Sequence, residues 1–179
     1  MIPFSLSIII VNWNSQDFLI RCLSSIRSSC ENLKYEVVII DNNSKQFDAA
    51  SIQTICPETN LIQNKVNVGF SAANNQGANI AKGKYLLFLN PDTCVKNDAI
   101  HRLFYILERN NYVASGPKLL ESDGSIQVMC ARRFPSLSGV FFNLFTLFLS
   151  GQVSEVDGWS PLGPVGFFFF GRGRKCRYH

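Results

Sequence analysis

The sequence predicts an α/β domain with a largely parallel central β-sheet, and three features of the chain support this fold class. Short apolar runs rich in β-branched residues alternate with stretches whose apolar residues recur at helical spacing. The first run, residues 6–11, is almost entirely apolar, which is typical of a strand buried on both faces. The 179 residues, 46% hydrophobic and 17% charged, are enough for one domain with a substantial core.

Strands and helices are predicted in alternation along the chain. Ser15 is placed to cap the first helix, and Pro91 ends the fourth strand because it has no N–H to donate. The turn dipeptide at residues 123–124 allows residues 118–120 to pair with residues 125–128. The small residues of the third helix predict close packing on the sheet. The predicted strands are residues 6–11, 35–40, 61–62, 85–89 and 112–115, and the predicted helices lie within residues 16–26, 47–55, 71–81 and 98–107.

A change in composition after Pro135 predicts a boundary, with a first domain of residues 1–135 and a second region of residues 136–179. Residues 140–149 are nearly all apolar, yet this stretch is too short to cross a bilayer. It is predicted either as a buried or partner-covered helix or as a segment lying on a membrane surface. The basic tail that follows is either a solvated terminus or a contact for anionic lipid.

The charge and cysteine patterns argue against two classes of protein. The formal net charge is +4, but Arg172, Arg174, Lys175 and Arg177 of the tail account for all of it. Because both signs are interleaved before the tail, nucleic-acid binding is disfavoured. The six cysteines form no CxxC pair and show no zinc-like spacing to the two histidines, so no metal cluster is predicted. The apolar N-terminal run leads straight into a polar turn, which indicates a strand rather than a signal peptide and favours a cytoplasmic location.

Polar residues follow three of the predicted strands where those strands end. The carboxyl ends of parallel strands share one edge of a sheet, and α/β proteins bind their ligands at that edge. Each polar segment alone is weak evidence, because such residues also form ordinary turns. Together they predict one polar crevice, formed by residues 12–14, 41–44 and 90–93.

Two acids in this crevice suggest its chemistry. Asp41 can accept a hydrogen bond from a base imide or a ribose hydroxyl, although an Asx-turn explains an acid there equally well. Asp92 is a hard oxygen ligand suited to Mg²⁺ or Mn²⁺ that also contacts a diphosphate; as an alternative, it is a simple cap. Residues 67–77 offer amides and flexible backbone near a helix N-terminus, where phosphate is favoured. The absence of a P-loop and of GxGxxG disfavours ATP hydrolysis and dinucleotide binding.

The resemblance to a known family is carried by four blocks in order: SIIIVNWN, VVIIDNNS, NVGFSAANNQGANIAKGKYLLFLNPDT and GPKLLESDGSIQ. Over about residues 5–135 the chain resembles the family 2 glycosyltransferases, and within them the rhamnosyltransferase-like branch. The resemblance implies a GT-A fold, a Rossmann-like fold that binds a UDP-sugar or dTDP-sugar with Mg²⁺ or Mn²⁺. It also implies transfer of the sugar, rhamnose in this branch, with inversion to a glycan or lipid-linked acceptor. The apolar residues 140–149 would suit a lipid-linked acceptor at the inner face of the cell membrane, with peripheral membrane contact.

The resemblance implies roles for individual residues as well. Asp41 matches the acid that contacts the base or the ribose. Asp92 is the remaining carboxylate of an aspartate-rich metal motif in which Asn90 replaces an acid. The implied contacts to the donor come from the strand ends and from the loop and helix of residues 67–77: Val11, Asn12, Asn14, Asp41, Asn43, Asn67, Gly69, Asn75 and Asn90.

The likeness to the family fails towards the C-terminus. Residues 155–159 resemble the start of the family's acceptor-side block, and Asp157 within them is our candidate catalytic residue. Residues 163–179, with four consecutive Phe, match no family pattern. Inverting transfer needs a general base, and in the family that acid lies beyond the end of this sequence. We therefore predict a chain truncated at its C-terminus, by a frameshift near Asp157.

Three functional hypotheses follow from these observations. The chain is a catalytic glycosyltransferase domain, a nucleotide-sugar-binding remnant without activity, or a Rossmann-like interaction module that shares only the strand pattern. The first two predict nucleotide binding, and only the first predicts sugar transfer. The third predicts no affinity for nucleotides.

Overall fold

The computed structural model describes residues 4–30, 33–110, 112, 114–121, 123–127 and 168–171. The chain divides into two compact units. The first comprises Met1–Pro117 together with Gly166–His179, and the second comprises Lys118–Val165. The predicted boundary at residue 135, the apolar residues 140–149 and the basic tail lie outside the described residues.

The first unit contains a mostly parallel β-sheet with helices, which confirms the predicted fold class. The strand order is β3-β2-β1-β4-β6-β5. Strands β1 to β4 are parallel, whereas β6 is antiparallel to both of its neighbours. The strands are β1 (Phe4–Asn12), β2 (Tyr35–Asp41), β3 (Asn60–Gln63), β4 (Gly83–Leu89), β5 (Ala114–Ser115) and β6 (Phe168–Gly171). The helices are α1 (Gln16–Ser29), α2 (Ala49–Ile55), α3 (Phe70–Ile80) and α4 (Ala99–Asn110).

The predicted strands and helices of this unit are all found, and two details differ from the prediction. Ser15 lies at the N-cap position of α1, but its hydroxyl donates to Asn12 Oδ1 at 3.1 Å instead of accepting from the helix. Strand β6 was not predicted. Its place is set by pairing with β4 and β5, which are remote in sequence, so no local pattern identifies it.

Helix α3 packs closely on the sheet, as its small residues predict. Gly77 allows this approach, because a β-carbon there would lie 2.6 Å from Ile9 Cγ2 and 2.7 Å from Ile40 Cδ1. Side chains alternate along a strand, so Ile8 and Ile10 point to the opposite face of β1. Both are fully buried. Strand β1 is therefore covered on both faces, which accounts for its apolar run.

The amino-terminal edge of the sheet is held together by a buried polar network centred on Glu36. Its Oε1 accepts hydrogen bonds from Ser7 Oγ at 2.6 Å and from Lys82 N, and its Oε2 accepts from Asn60 Nδ2 at 3.1 Å. Ser7 Oγ in turn accepts from Gly83 N at 2.8 Å. The network links the starts of β1, β2, β3 and β4, at the opposite end of the sheet from the predicted crevice.

Cys30 is a buried thiol whose ionisation is coupled to unfolding. Burial raises the pKa of this thiol from 9.0 to about 12. Between these values the folded chain keeps the proton while the unfolded chain loses it, so the free energy of unfolding falls as the pH rises. Below pH 9 the contribution of this thiol to the free energy of unfolding is fully present, and above pH 9 it is lost progressively.

We expect Cys30→Ala to reduce the alkaline loss of stability. Between about pH 8 and about pH 10, the free energy of unfolding of the variant should fall by about 1.4 kcal/mol less than that of the wild type. Urea denaturation at the two pH values measures this difference. Ser24→Ala is the control, because it replaces an exposed residue of α1 that does not titrate and should leave the wild-type pH dependence intact. Identical pH dependence in Cys30→Ala and the wild type would contradict the expectation.

The described part of the second unit contains the predicted hairpin. Leu120 forms an antiparallel bridge with Ile126. Glu121 N donates to Ser125 O at 2.9 Å, and Gly124 closes the turn with φ of 86°, a value that favours glycine. The turn dipeptide thus has the role that the sequence indicates. None of the helices within the described residues combines the length and the apolar character that a bilayer span requires.

Candidate functional site

The carboxyl edge of the sheet brings together the polar segments that follow β1, β2 and β4. Asn12 at the end of β1 pairs in register with Asp41 at the end of β2. Leu89 at the end of β4 pairs with Ile10 on the other side of β1. Asp41 therefore ends one of the two strands that flank β1, and Asp92 follows the other strand, at the same edge of the sheet. Two strand spacings separate these strands by about 10 Å.

Asp41 is a buried acid whose carboxylate is oriented by its neighbours. Oδ1 accepts hydrogen bonds from Asn12 Nδ2 at 2.8 Å and from Ser44 Oγ at 2.6 Å, and Oδ2 accepts from Ser44 N at 3.1 Å. The bond to Ser44 N is the local Asx-type bond considered from the sequence. A carboxylate accepts about four hydrogen bonds. The described residues therefore leave Oδ2 able to accept one more.

The turns after β1 and β2 are joined to each other through Asn14 and Ser44. Asn14 N donates to Ser44 Oγ at 2.8 Å, and Asn14 Oδ1 accepts from Lys45 N at 2.8 Å. Asn14 and Asn43 have φ values of 52° and 64°, a left-handed conformation that asparagine tolerates better than most residues. These bonds fix the two turns as one rigid rim beside Asp41.

An open cleft of about 790 Å³ borders this rim. Its walls come from the start of α1 and from the segment between β2 and α2. Acidic, basic and neutral polar side chains all contribute, so the cleft is not specialised for an anion. The lining residues are Asn14, Gln16, Asp17, Lys45, Gln46, Phe47 and Asp48.

A network of side-chain amides attaches the loop before α3 to the end of β2. Buried Asn42 donates to Asn67 Oδ1 at 2.7 Å and accepts from Asn64 Nδ2 at 3.1 Å and from Val68 N at 3.0 Å. Asn67 Oδ1 also accepts from Gly69 N at 2.9 Å. The predicted contact residue Asn67 thus has its oxygen engaged within the loop, while its exposed side chain keeps an NH₂ group for a ligand.

Helix α3 begins directly after this loop and presents an open amino end. Gly69 precedes the helix with φ of 84°, and no heavy atom lies within 4 Å of the position of a β-carbon there. A helix N-terminus carries unpaired N–H groups and favours negative charge. Within the helix, Asn74 is buried and donates to Phe70 O at 3.1 Å, whereas the predicted contact Asn75 is half-buried.

Asp92 lies in a β-turn after β4. Thr93 N donates to Asn90 O at 3.2 Å, and Pro91 occupies the second position of the turn, which its fixed φ favours. Asn90 is half-buried, whereas Asp92 is exposed. No described residue holds the Asp92 carboxylate by a hydrogen bond or an ion pair. The turn therefore offers a carboxylate that is free to bind a ligand.

Cys22 lies beneath this turn as a neutral thiol. Burial, and to a smaller extent the nearby Cys94 and Asp92, raise the pKa of the Cys22 thiol to about 12. Metals bind the thiolate rather than the thiol. In the metal-free chain Cys22 is consequently protonated at neutral pH, and Asp92 is the carboxylate at this position.

The donors at the turn fit one of the two usual ways of holding Mg²⁺ or Mn²⁺. Among the residues that the structure describes, no three His, Cys, Asp or Glu side chains converge as a cage for a cation. Mg²⁺ is more often held by one or two carboxylates together with substrate phosphates. The exposed Asp92 carboxylate, with the Asn90 amide close to it in the turn, matches this second arrangement.

The remaining predicted site residues have different positions. The side chain of Val11 belongs to the core beneath α3, so only its backbone can face a ligand. Asp157 lies outside the described residues. Sequence reasoning did not select Asn42 or Ser44 as site residues, although both stand in the polar segment after β2. Apart from the local bonds of Ser44 to Asp41, their partners lie in residues 12–14 and 64–68, which are distant in sequence, so local spacing does not indicate these contacts.

The strand order, with antiparallel β6 beside β4, places the first unit in the GT-A class of α/β folds. This is the fold of a large class of nucleotide-sugar-dependent transferases. The chain belongs to the family described as Glycosyl transferase family 2, whose model matches residues 7–152. It is thus related to transferases that move sugars.

Relatives of the chain carry glycosyltransferase names. An uncharacterized glycosyltransferase of Haemophilus influenzae is 30% identical over 105 residues, which cover 59% of this chain and 35% of that protein. The low-salt glycan biosynthesis hexosyltransferase Agl10 of Haloferax volcanii is 29% identical over 125 residues, 66% of this chain and 38% of that protein. The chain spans little more than a third of the length of these relatives.

A similar fold is found among solved structures. The crystal structure of S. aureus TarS 1-349 matches with a TM-score of 0.54 and 19% sequence identity, covering 66% of this chain and 39% of that chain. TarS 1-349 has also been solved in complex with UDP and with UDP-GlcNAc. At this level of identity the likeness concerns the fold alone.

Proposed function

We propose that this chain binds a UDP-sugar or dTDP-sugar and serves an inverting transfer of the sugar to a hydroxyl group of a glycan or lipid-linked acceptor. One observation carries the proposal: Asp41 ends β2 and Asp92 follows β4, and these two strands lie on either side of β1 and end at the same edge of the sheet. Rhamnose as the sugar is a narrower expectation that rests on the resemblance, and an acceptor at the cytoplasmic face of the membrane is one that rests on the apolar residues 140–149.

The geometry of Asp41 favours uracil or thymine as the base. Its carboxylate is buried, and Oδ2 is left with room for about one further hydrogen bond. The imide N–H of uracil or thymine supplies one donor, whereas cytosine has an acceptor at that ring position. A pair of ribose hydroxyls requires more acceptor capacity than Asp41 has left. TarS, which shares the fold, binds UDP, in agreement with this choice.

The diphosphate is proposed to lie between the amino end of α3 and the turn of Asp92. The backbone N–H groups of the first turn of α3, which begins after the open position of Gly69, and the Asn67 side-chain NH₂ group offer neutral hydrogen-bond donors to phosphate oxygens. Asp92 and Asn90 would hold Mg²⁺ or Mn²⁺ at the other side of the diphosphate. Such an ion, when bound, stabilises the charge that develops on the departing diphosphate.

Inversion also requires a base for the acceptor hydroxyl, and the described residues supply only the donor side. Direct displacement at the anomeric carbon needs the hydroxyl to lose its proton to a carboxylate as the new bond forms. Asp157 is our candidate for this base. The second candidate function is a nucleotide-sugar-binding domain without turnover, because none of the described residues is assigned as the base.

Turnover and binding together test the proposal. Calorimetric titration with UDP and with CDP, each with and without Mn²⁺, measures recognition of the donor. Release of UDP from a UDP-sugar, with and without an added glycan acceptor, measures catalysis. We expect UDP to bind more tightly than CDP, and binding without UDP release would identify the inactive remnant. No affinity for any nucleotide would leave the interaction module as the explanation.

We expect Asp41→Ala to weaken UDP binding by about 1 to 3 kcal/mol, because the base N–H then loses its buried acceptor. The preference for UDP over CDP should disappear in the same variant. Glu58→Ala is the control: it removes an exposed acid just before β3, at the opposite edge of the sheet, and should leave both affinities unchanged. An unaltered UDP affinity in Asp41→Ala would show that Asp41 does not bind the base and has only a structural role in its Asx-turn.

A further inference from the structure

The turn that carries Asp92 is attached to α1 at both of its ends. At the first end, the Cys22 thiol lies 3.8 Å from Asn90 O and donates a weak hydrogen bond to it. At the second end, Val95 N donates to Ser25 Oγ at 3.0 Å. Cys22 and Ser25 are three residues apart and share one face of the helix. Asp92 therefore lies between two attachment points on the same helix face.

The Ser25 hydroxyl is the stronger of the two attachments, and its direction is fixed. It donates its hydrogen to Cys22 O at 2.7 Å, which leaves its lone pairs for Val95 N. Val95 is itself buried, so its amide has little access to water as an alternative partner. The thiol of Cys22 is a weaker donor than a hydroxyl. Of the two hydrogen bonds between the turn and α1, the one to Ser25 is thus the stronger.

We infer that Ser25 is a positioning residue for the proposed metal ligand Asp92. The inference rests on the proposed function, because it concerns the cation that Asp92 would hold with the diphosphate. No described residue holds the exposed Asp92 carboxylate directly, so only the backbone of the turn sets its position. If the turn spends part of its time in other conformations, the apparent affinity for the cation is reduced. It equals the intrinsic affinity multiplied by the fraction of time that the turn spends in the binding conformation.

Ser28 provides a matched control on the same helix. Its hydroxyl donates to the carbonyl three residues earlier, Ser25 O, at 3.0 Å, and it does so on the exposed face. Replacing either serine with alanine therefore removes the same kind of bond within the helix. Only Ser25→Ala also removes the acceptor of Val95 N. Ser25→Thr retains the hydroxyl and serves as the conservative variant.

The test is calorimetric titration of the full chain with UDP, with and without Mn²⁺. We expect Ser25→Ala to reduce the gain in UDP affinity that Mn²⁺ provides by about fivefold, the effect of one ordinary hydrogen bond. The affinity measured without metal should not change, and Ser28→Ala and Ser25→Thr should behave as the wild type. Hydrogen exchange of the Val95 amide should become faster in Ser25→Ala, which reports the lost bond directly.

Three outcomes would overturn the inference and are distinguishable. If the Val95 amide exchanges faster but the gain in UDP affinity from Mn²⁺ is unchanged, Ser25 does not position the metal ligand Asp92. The proposed donor site is not affected by that result. If metal-free UDP affinity falls in parallel with a lower melting temperature, Ser25 has only a general structural role. If the wild type gains nothing from Mn²⁺, the metal assignment of Asp92 fails, and the positioning role fails with it.

Discussion

Replacing Asp92 with alanine is expected to abolish the Mn²⁺-dependent part of the affinity for UDP. Asp92 is the exposed acid of its turn, and no described residue neutralises it, so its removal leaves the cation with no carboxylate ligand there. We expect the affinity measured with Mn²⁺ to fall about tenfold, or about 1.4 kcal/mol. The metal-free affinity and the melting temperature should remain those of the wild type, because Asp92 is not part of the core.

Two companion variants sharpen this experiment. Asp98→Ala removes another exposed acid close in sequence, one that is paired with Arg102, and should leave the effect of Mn²⁺ intact. Asn90→Asp adds a second carboxylate to the turn and should tighten Mn²⁺ binding in the presence of UDP. Electron paramagnetic resonance of bound Mn²⁺ reports both changes directly. Unchanged affinity with Mn²⁺ in Asp92→Ala would show that the metal assignment is wrong.

Replacing Glu36 with alanine is expected to destabilise the fold strongly and to leave the chemistry of the site alone. The side chain accepts hydrogen bonds from Ser7, Lys82 and Asn60 at the amino edge of the sheet. Without this side chain, the buried N–H and O–H groups that donate to it have neither a protein acceptor nor water. We expect the free energy of unfolding to fall by about 3 kcal/mol, measured by urea denaturation at neutral pH.

The controls for this prediction separate stability from binding. Glu58→Ala removes an exposed acid and should change the free energy of unfolding by less than about 0.5 kcal/mol. Glu36→Gln keeps an acceptor oxygen and should cost less than Glu36→Ala. The fraction of Glu36→Ala that remains folded should bind UDP as the wild type does, because the network lies at the opposite edge from Asp41. A loss of stability below about 1 kcal/mol would contradict the importance of the network.

Much of the fold could be predicted from the sequence because its signals are local. The apolar run of β1 reflects burial on both faces, and Ile8 and Ile10 are indeed fully buried. The small residues of α3 indicated close packing, which Gly77 permits. Strand β6 escaped prediction because a strand at the end of the chain is defined by its partners β4 and β5.

The candidate site was predicted in part. The rule that ligands bind at the carboxyl ends of parallel strands selected Asp41 and Asp92, and the structure puts both on that edge of the sheet. The residues that orient them were not selected. In the sequence, Ser25 is indistinguishable from an ordinary helix residue, and Asn42 is indistinguishable from an ordinary turn residue. Their partners, Val95 and Val68, are remote in sequence.

The sequence by itself determined the order of strands and helices, the family resemblance and the two acids at strand ends, because each depends on residues close together in the chain. Tertiary structure alone decided the strand order across the sheet, the place of β6, the Glu36 network and the attachment of the Asp92 turn to α1. Each of these consists of hydrogen bonds between distant segments, such as Ser7 with Gly83, which are separated by 76 positions. Such bonds form only when folding brings buried donors to buried acceptors, and no local pattern of residues specifies which partners meet.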